Sequence, residues 1–283
     1  MTASLFQPLD ALAARVPDGA SVSVNKGDES DVPMALALAL VRRGVRGLHV
    51  VTLPTAAYPA SGMMVDLLIG AGCVASVETS GISLHELGAA PRFTRAVKSG
   101  TLKVLDATCP AVYAGLQAGA KGQPFAPLRG LIGSDLQRHR DDYKLIDNPF
   151  APGDPVVVVP AINCDVAIFH VALADSEGNL WVGRDRDRLL AAHAADTVLV
   201  TVERQVPGSF FDDDHLAAGT IPAAYVDGLA LVPGGCWPMR VDGPTDLAAV
   251  RRYQQAAQSG EGFDAWLREA LARPAWEAAA VAA

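Results

Sequence analysis

Three apolar runs, VVVV (156–159), VAIFHVAL (166–173) and TVLVTV (197–202), show no clean alternation of hydrophobic and polar positions. Runs of this kind suit strands covered on both faces, as in a parallel sheet between helical layers. SVSVNKG (21–27) reads as a strand breaking into a loop, and GLHVVTL (47–53), CVASVE (73–78), LKVLD (102–106) and DGLALVP (227–233) as further strands. Between them the apolar period lengthens to that of helices. These fall at Ser4–Val16, 32–43, Ser61–Ile69, Leu84–Lys98, Val112–Ala120, Asp185–Ala195, Asp246–Ser259 and Phe263–Leu271. Asp31 is placed to cap the second helix, with Pro33 in its first turn and Arg42 and Arg43 at its end. Pro91 predicts a kink, or a break between two short helices.

Strand and helix thus alternate about four times in the first 120 residues, which is how parallel sheets are built. The stretch 124–154 is rich in Gly, Pro and charge, and reads as a segment crossing the surface. DSEGN (175–179) reads as a hairpin turn with Leu180–Val182 returning, an antiparallel addition to the sheet. The expected architecture is α/β: an open three-layer α/β/α sandwich around a largely parallel sheet, forming one domain over 1–283 with C-terminal helices from about 245.

Composition narrows the class. The 283 residues are half hydrophobic, with 26 Gly and 19 Pro, which describes a packed globule with many turns. No apolar run reaches membrane-spanning length, and the N-terminus lacks the basic flank of a signal peptide; a soluble cytoplasmic protein is expected. With Lys+Arg 23 against Asp+Glu 31, an extended nucleic-acid surface is disfavoured. The four cysteines, at 73, 109, 164 and 236, have no CxxC spacing, so neither a disulfide framework nor a metal site is expected.

Candidate chemistry sits in loops. NKGDES (25–30) follows a strand and precedes a helix, where free N–H groups receive anions in α/β folds. There is no GxGxxG or GK[ST] signature. VETSG (77–81) occupies the equivalent place after the third strand. Glu78 there is a nucleophile or base if desolvated, and otherwise a solvated carboxylate or cap. His170 reads as a core histidine bonded to a backbone group. Asp212–Asp214 is the one acidic cluster that suggests an ion, with solvation as the plainer reading. Cys109, in ATCPAV, has no histidine placed beside it by sequence.

Four blocks in order along the chain sharpen the picture: GLQAGAKGQPFAPLRGLIGSDL (115–136), KLIDNPFAPGDPVVVVPAINCDVAIFHVALADSEGNLWVG (144–183), HAADTVLVTVE (193–203) and DGLALVPGGCWPM (227–239). Together they resemble the A (alpha) subunit of family I coenzyme A transferases, of the glutaconate CoA-transferase type. The resemblance implies a homologous B (beta) partner in a heterodimer or heterotetramer. It also implies a CoA thioester as substrate, no permanently bound cofactor, and a catalytic glutamate on the partner that forms an anhydride and then a glutamyl-CoA thioester. Gly27 falls in the family's N-terminal glycine loop, and Ser80 and Gly81 match the segment after its third strand. Asn25, Lys26, Gly27, Asp28, Ser80 and Gly81 are therefore the expected acyl-pocket residues. Lys26 and Asp28 depart from the family pattern, and either select a polar acyl group or pair locally. Glu78 stands where the family often has Tyr or Cys. A related ring-opening hydrolase carries a glutamate just after the fourth strand, nearest to Cys109 here; in such a hydrolase Glu78 would be the catalytic candidate. An interaction subunit without chemistry and a sugar-phosphate isomerase of similar topology are the other readings.

Overall fold

The computed structural model of the protein describes residues 5–272. The chain opens with α1 (Leu9–Ala14), β1 (Ser21–Asn25), α2 (Met34–Arg43), β2 (Leu48–Leu53), α3 (Pro59–Gly70), β3 (Val74–Thr79), α4 (Pro91–Lys98), β4 (Lys103–Asp106) and α5 (Cys109–Ala120). It continues through β5 (Phe125–Leu128), α6 (Asp135–His139), β6 (Lys144–Asp147) and β7 (Pro155–Pro160). The last part holds β8 (Cys164–Ala174), β9 (Leu180–Trp181), α7 (Arg186–His193), β10 (Ala195–Gln205), α8 (Asp214–Ala217), β11 (Thr220–Ile221), β12 (Gly228–Leu231), α9 (Leu247–Ala256) and α10 (Gly260–Leu271).

The main sheet runs β12–β10–β8–β1–β2–β3–β4, every neighbouring pair parallel. β9 returns antiparallel on the end of β8, and β11 pairs with β9. The non-alternating runs now have their reason. Val22, Val50, Val166, Ile168 and Leu199 face a layer built with α1, α2, α3, α9 and α10. Val51, Ala167, Phe169, Val198 and Val200 face the opposite layer, with α5 and α7. Successive residues of one strand thus enter different cores, and both must be apolar.

Asp66 ties three helices together inside the first layer. It accepts hydrogen bonds from the Phe93 amide at 2.6 Å and the Tyr253 hydroxyl at 2.7 Å. Burial outweighs these bonds and raises its pKa above the ordinary carboxylate value. An acid with a raised folded-state pKa contributes stability that is full below the unfolded value and is lost as pH rises toward the folded one. Asp66→Asn should therefore flatten part of the decline in unfolding free energy as pH rises from about 4, the unfolded carboxylate value, to about 7. Urea titrations at both pH values test this, and equal declines in the variant and the parent would refute it.

Four expectations change. Asp31 does not cap α2: its N-cap is Pro33, without a side-chain cap, and Asp31 Oδ2 instead lies 3.4 Å from the Gly27 amide. The first helix is shorter than Ser4–Val16, spanning Leu9–Ala14, with Ser4 outside the described residues. The surface segment 124–154 contains two strands and a helix: β5 and β6 flank β7 in a separate antiparallel sheet. The VVVV run is the centre of that small sheet and does not join β8 in the main one. Its inward residues Val157 and Val159 pack with Ala111 of α5, Leu131 and Tyr143. At Pro91 the break is complete, since a short 3-10 turn (His85–Leu87) precedes α4 and Pro91 opens that helix.

Candidate active site at the carboxyl edge of the sheet

All parallel strands release their loops at one edge, so residues distant in sequence meet there. β1 ends at Asn25, whose side chain is buried with both polar atoms lacking a hydrogen-bond partner. The chain then turns through Gly27 at φ +83°, pressed against α3, where a Cβ would lie 2.8 Å from Ser61 Cβ. The Ser61 hydroxyl donates to the Lys26 carbonyl and fixes the turn. The Lys26 ammonium sits 2.9 Å from Asp28 and 3.0 Å from Asp187 at the start of α7. Burial alone would lower its pKa; the two carboxylates outweigh that and hold the charge above its ordinary value. Tyr113 of α5 donates to Asp187 at 2.9 and 3.0 Å, and burial together with that carboxylate raises the phenol's pKa.

The second loop lies across the same α5. The Ser80 amide and hydroxyl both donate to the Pro54 carbonyl, at 3.0 and 2.9 Å, and the hydroxyl lies 3.2 Å from Cys109 Sγ. Thr55 donates to the Gly81 carbonyl at 2.7 Å. Cys109 and Tyr113 are four residues apart on α5 and share one helix face. That face brings both loops to one place: its first turn touches Ser80, and its second reaches the Lys26 cluster through Asp187. Thr108 caps the helix by accepting from the Ala111 amide.

Glu78 belongs to a different network. It is buried on β3, and its Oε1 accepts from Arg140 at 2.8 Å. Arg140, also buried, donates further to both Asp142 oxygens and to the Asp106 carbonyl, and stacks on Tyr143. The arginine holds Asp142 below the usual carboxylate range. His170 does not bond a backbone group through its ring, contrary to expectation; its Nδ1 lies 2.8 Å from the Thr201 hydroxyl and its Nε2 3.3 Å from Glu203. Of the acidic cluster, Asp213 caps α8 by accepting from the His215 amide.

A cavity of about 990 Å³ opens beyond β8 and β10, lined among others by Glu29, Ser30, Trp181, Arg188, Glu203 and Arg204. Arg188 organises this wall. It donates to Glu29 at 2.9 Å, to Asp185 at 2.7 Å and to the His170 carbonyl at 3.2 Å. None of Asn25, Lys26, Ser80 or Tyr113 lines that hollow. The loops hold the Ser80 hydroxyl on Pro54, the Tyr113 hydroxyl on Asp187 and the Lys26 ammonium between two carboxylates, which leaves the buried amide of Asn25 as the unpartnered polar group among these four.

Residues 7–230 match the family described as coenzyme A transferase. The chain belongs to the coenzyme A transferase family. It is 31% identical to the A subunit of the 3-oxoadipate CoA-transferase of Pseudomonas knackmussii, over 94% of this chain and 93% of that one. The crystal structure of glutaconate coenzyme A-transferase from Acidaminococcus fermentans superposes with a TM-score of 0.83 at 29% identity, covering 94% of this chain and 88% of that one. The cholesterol ring-cleaving hydrolase IpdA subunit of Mycobacterium tuberculosis is 29% identical, over 93% of this chain and 91% of that one.

In this coenzyme A transferase the structure groups Lys26, Gly27 and Asp28 tightly with one another and sets Ser80 and Gly81 across α5 from them. Of the two readings of Lys26 and Asp28, a local ion pair is present. Tyr113, Asp187, Arg140 and Arg188 go unnoticed in the sequence. The signal for Tyr113 is its four-residue spacing from Cys109; Asp187 and the two arginines have none, being charged residues among other charged residues. Among the described residues no helix is long and apolar enough to cross a membrane.

Proposed function

We propose that this chain is the A (alpha) subunit of an acyl-CoA:carboxylate CoA-transferase. In this reading it works in the cytoplasm, in a heterodimer or heterotetramer with a homologous B (beta) subunit, and forms a single unit of the family's alpha type. The observation that carries the reading is the end-to-end similarity to the A subunit of a named CoA-transferase. The geometry supports it in one respect. Glu78, a buried carboxylate close to the loops, is committed to Arg140, so the attacking carboxylate is assigned to the partner chain.

The partner's glutamate adds to the thioester carbonyl, the CoA thiolate leaves, and an acyl–glutamyl anhydride forms. The thiolate then attacks the glutamyl carbonyl, releasing the first carboxylic acid and leaving glutamyl-CoA. An acceptor carboxylate reverses the sequence. CoA enters as a substrate thioester, with no permanently bound cofactor. This chain supplies the acyl wall through Asn25, Lys26, Gly27, Asp28, Ser80 and Gly81. To donate to the charge that develops on the carbonyl oxygen, the Ser80 hydroxyl would turn away from the Pro54 carbonyl that holds it in this structure.

The ring-cleaving hydrolase relatives support a second reading, a hydrolase subunit with Glu78 as base. Two observations weigh against it. Glu78 must first surrender its hydrogen bond from Arg140, and the first residue of α5, just after β4, is Cys109 rather than a carboxylate. The test is reconstitution. The chain alone should show no exchange of labelled CoA between an acyl-CoA and a free acid, and co-expression with a B-type chain should restore it. Turnover by the isolated chain would overturn the proposal. Product formation with water alone, independent of any acceptor acid, would favour the hydrolase. A complex that forms but never turns over would leave an interaction subunit.

A further inference from the structure

Outside the proposed acyl loops, three potential ligand side chains converge: one on β8, one on the adjacent β10 and one in the turn after β12. His170 pairs in register with Thr201 on the neighbouring strand, and Glu203 lies two residues further along β10, on the same face. Cys236 comes from the turn that follows β12 and packs in the same layer. His Nε2, a glutamate oxygen and Cys Sγ all lie within 4.8 Å of one another. We infer that His170, Glu203 and Cys236 form a binding site for a tetrahedral divalent cation of the zinc class.

Several independent features support a ligand set over a chance cluster. His170 is fully buried, and its Nε2 lacks a hydrogen bond of good geometry. Its Nδ1 lies 2.8 Å from the Thr201 hydroxyl; with the proton on Nδ1, the Nε2 lone pair is free for a metal. The separation of Nε2 from Glu203 Oε2 is 3.3 Å. That is about the edge of a tetrahedron with bonds of roughly 2.0–2.1 Å. Glu203 Oε2 is itself oriented by the Gly234 amide at 2.7 Å, in the turn that carries Cys236. Imidazole, carboxylate and thiolate together match the donor types zinc accepts, and two anions balance the ion's charge. Glu203 also lines the 990 Å³ cavity, which gives the ion a path in and room for a fourth, non-protein ligand.

Binding forms three protein–metal bonds and releases the Cys236 thiol proton to solvent. The ion would clamp the 233–239 turn to β8 and β10. That turn contacts α2, since the Ala35 amide donates to the Gly235 carbonyl. Arg188 and Asp31 are the charged neighbours, one donating to the His170 carbonyl and the other accepting from the His170 amide through its main-chain oxygen.

Cobalt(II) is the direct probe, added to chelator-treated, untagged protein, either alone or with its partner chain. One equivalent should produce the intense visible bands of tetrahedral cobalt with a thiolate charge-transfer band. Zinc should displace cobalt and raise the melting temperature. Cys236→Ser should abolish the charge-transfer band, and His170→Gln should weaken binding at least about 100-fold, the upper end of what losing a supporting group costs. Because His170→Gln alters a packed core, its unfolding midpoint in chelator is measured alongside. A cobalt spectrum that never appears, or one unchanged in Cys236→Ser, overturns the site and leaves a hydrogen-bonded His–Glu pair.

Discussion

Arg140→Met is expected to lower the unfolding free energy by about 3–5 kcal/mol, read from urea titration, because it strands a buried carboxylate. Glu78 and Arg140 are 8% and 6% exposed, so neither recovers much hydration when the other is removed. Arg140 also anchors its own segment, through Asp142 and the Asp106 carbonyl, so β6 and the start of β7 lose their tether to β4. Asp142 is partly exposed and can be solvated once freed, whereas Glu78 cannot. The double variant Glu78→Gln/Arg140→Met should therefore recover a large part of the loss, since a neutral amide costs less to bury unpaired. A single variant within about 1 kcal/mol of the parent would place the pair in the regime of exposed ion pairs and sink this account.

Gly62→Ala is the second large effect. A Cβ on Gly62 would sit 1.8 Å from the Ser83 carbonyl oxygen and 3.1 Å from that of Ala56. Both contacts are with backbone, which cannot swing aside as a side chain can. The segments concerned are those that hold together the two loops proposed to form the acyl wall. Ser61 fixes the Lys26 turn, and the Ala56 and Ser83 amides stitch 54–56 to 81–83 by donating to the Gly81 and Ala56 carbonyls. Relieving the overlap must push α3 away from Ser83. The expected cost is about 3 kcal/mol, at the upper end for overpacking. In the reconstituted enzyme it should bring a lower kcat/KM. Gly130→Ala is the control, because a Cβ there meets nothing within 4 Å and the change should stay within about 0.5 kcal/mol. Equal melting temperatures for the two variants would show that the close approach is not rigid.

The main sheet was legible because burial on both faces leaves a local imprint: several apolar residues in a row, bounded by Gly, Pro and charge. The antiparallel return at Leu180 was legible from its turn, where Asp175 accepts from the Glu177 and Asn179 amides at 2.9 Å each. The small sheet was not. β5 (FAPL) and β6 (KLID) are four residues each, exposed for most of their length, and become strands only by flanking β7. Strand preference that comes from pairing leaves little trace in the paired segment itself.

The candidate site divides the same way. Sequence pointed to the loops after β1 and β3 as candidates for ligand chemistry, since in a parallel sheet every such loop emerges at one edge. Only the tertiary structure decided which side chains meet there. It joined Lys26 to Asp187 and Glu78 to Arg140, and it drew Cys236 to within ligand distance of His170. Those partners lie 62 to 161 positions apart in the chain (78 to 140, 26 to 187). A charged residue's own neighbourhood does not encode the partner it will find across the core. That choice is made by packing, which sets which carboxylates lose their water and must be paired.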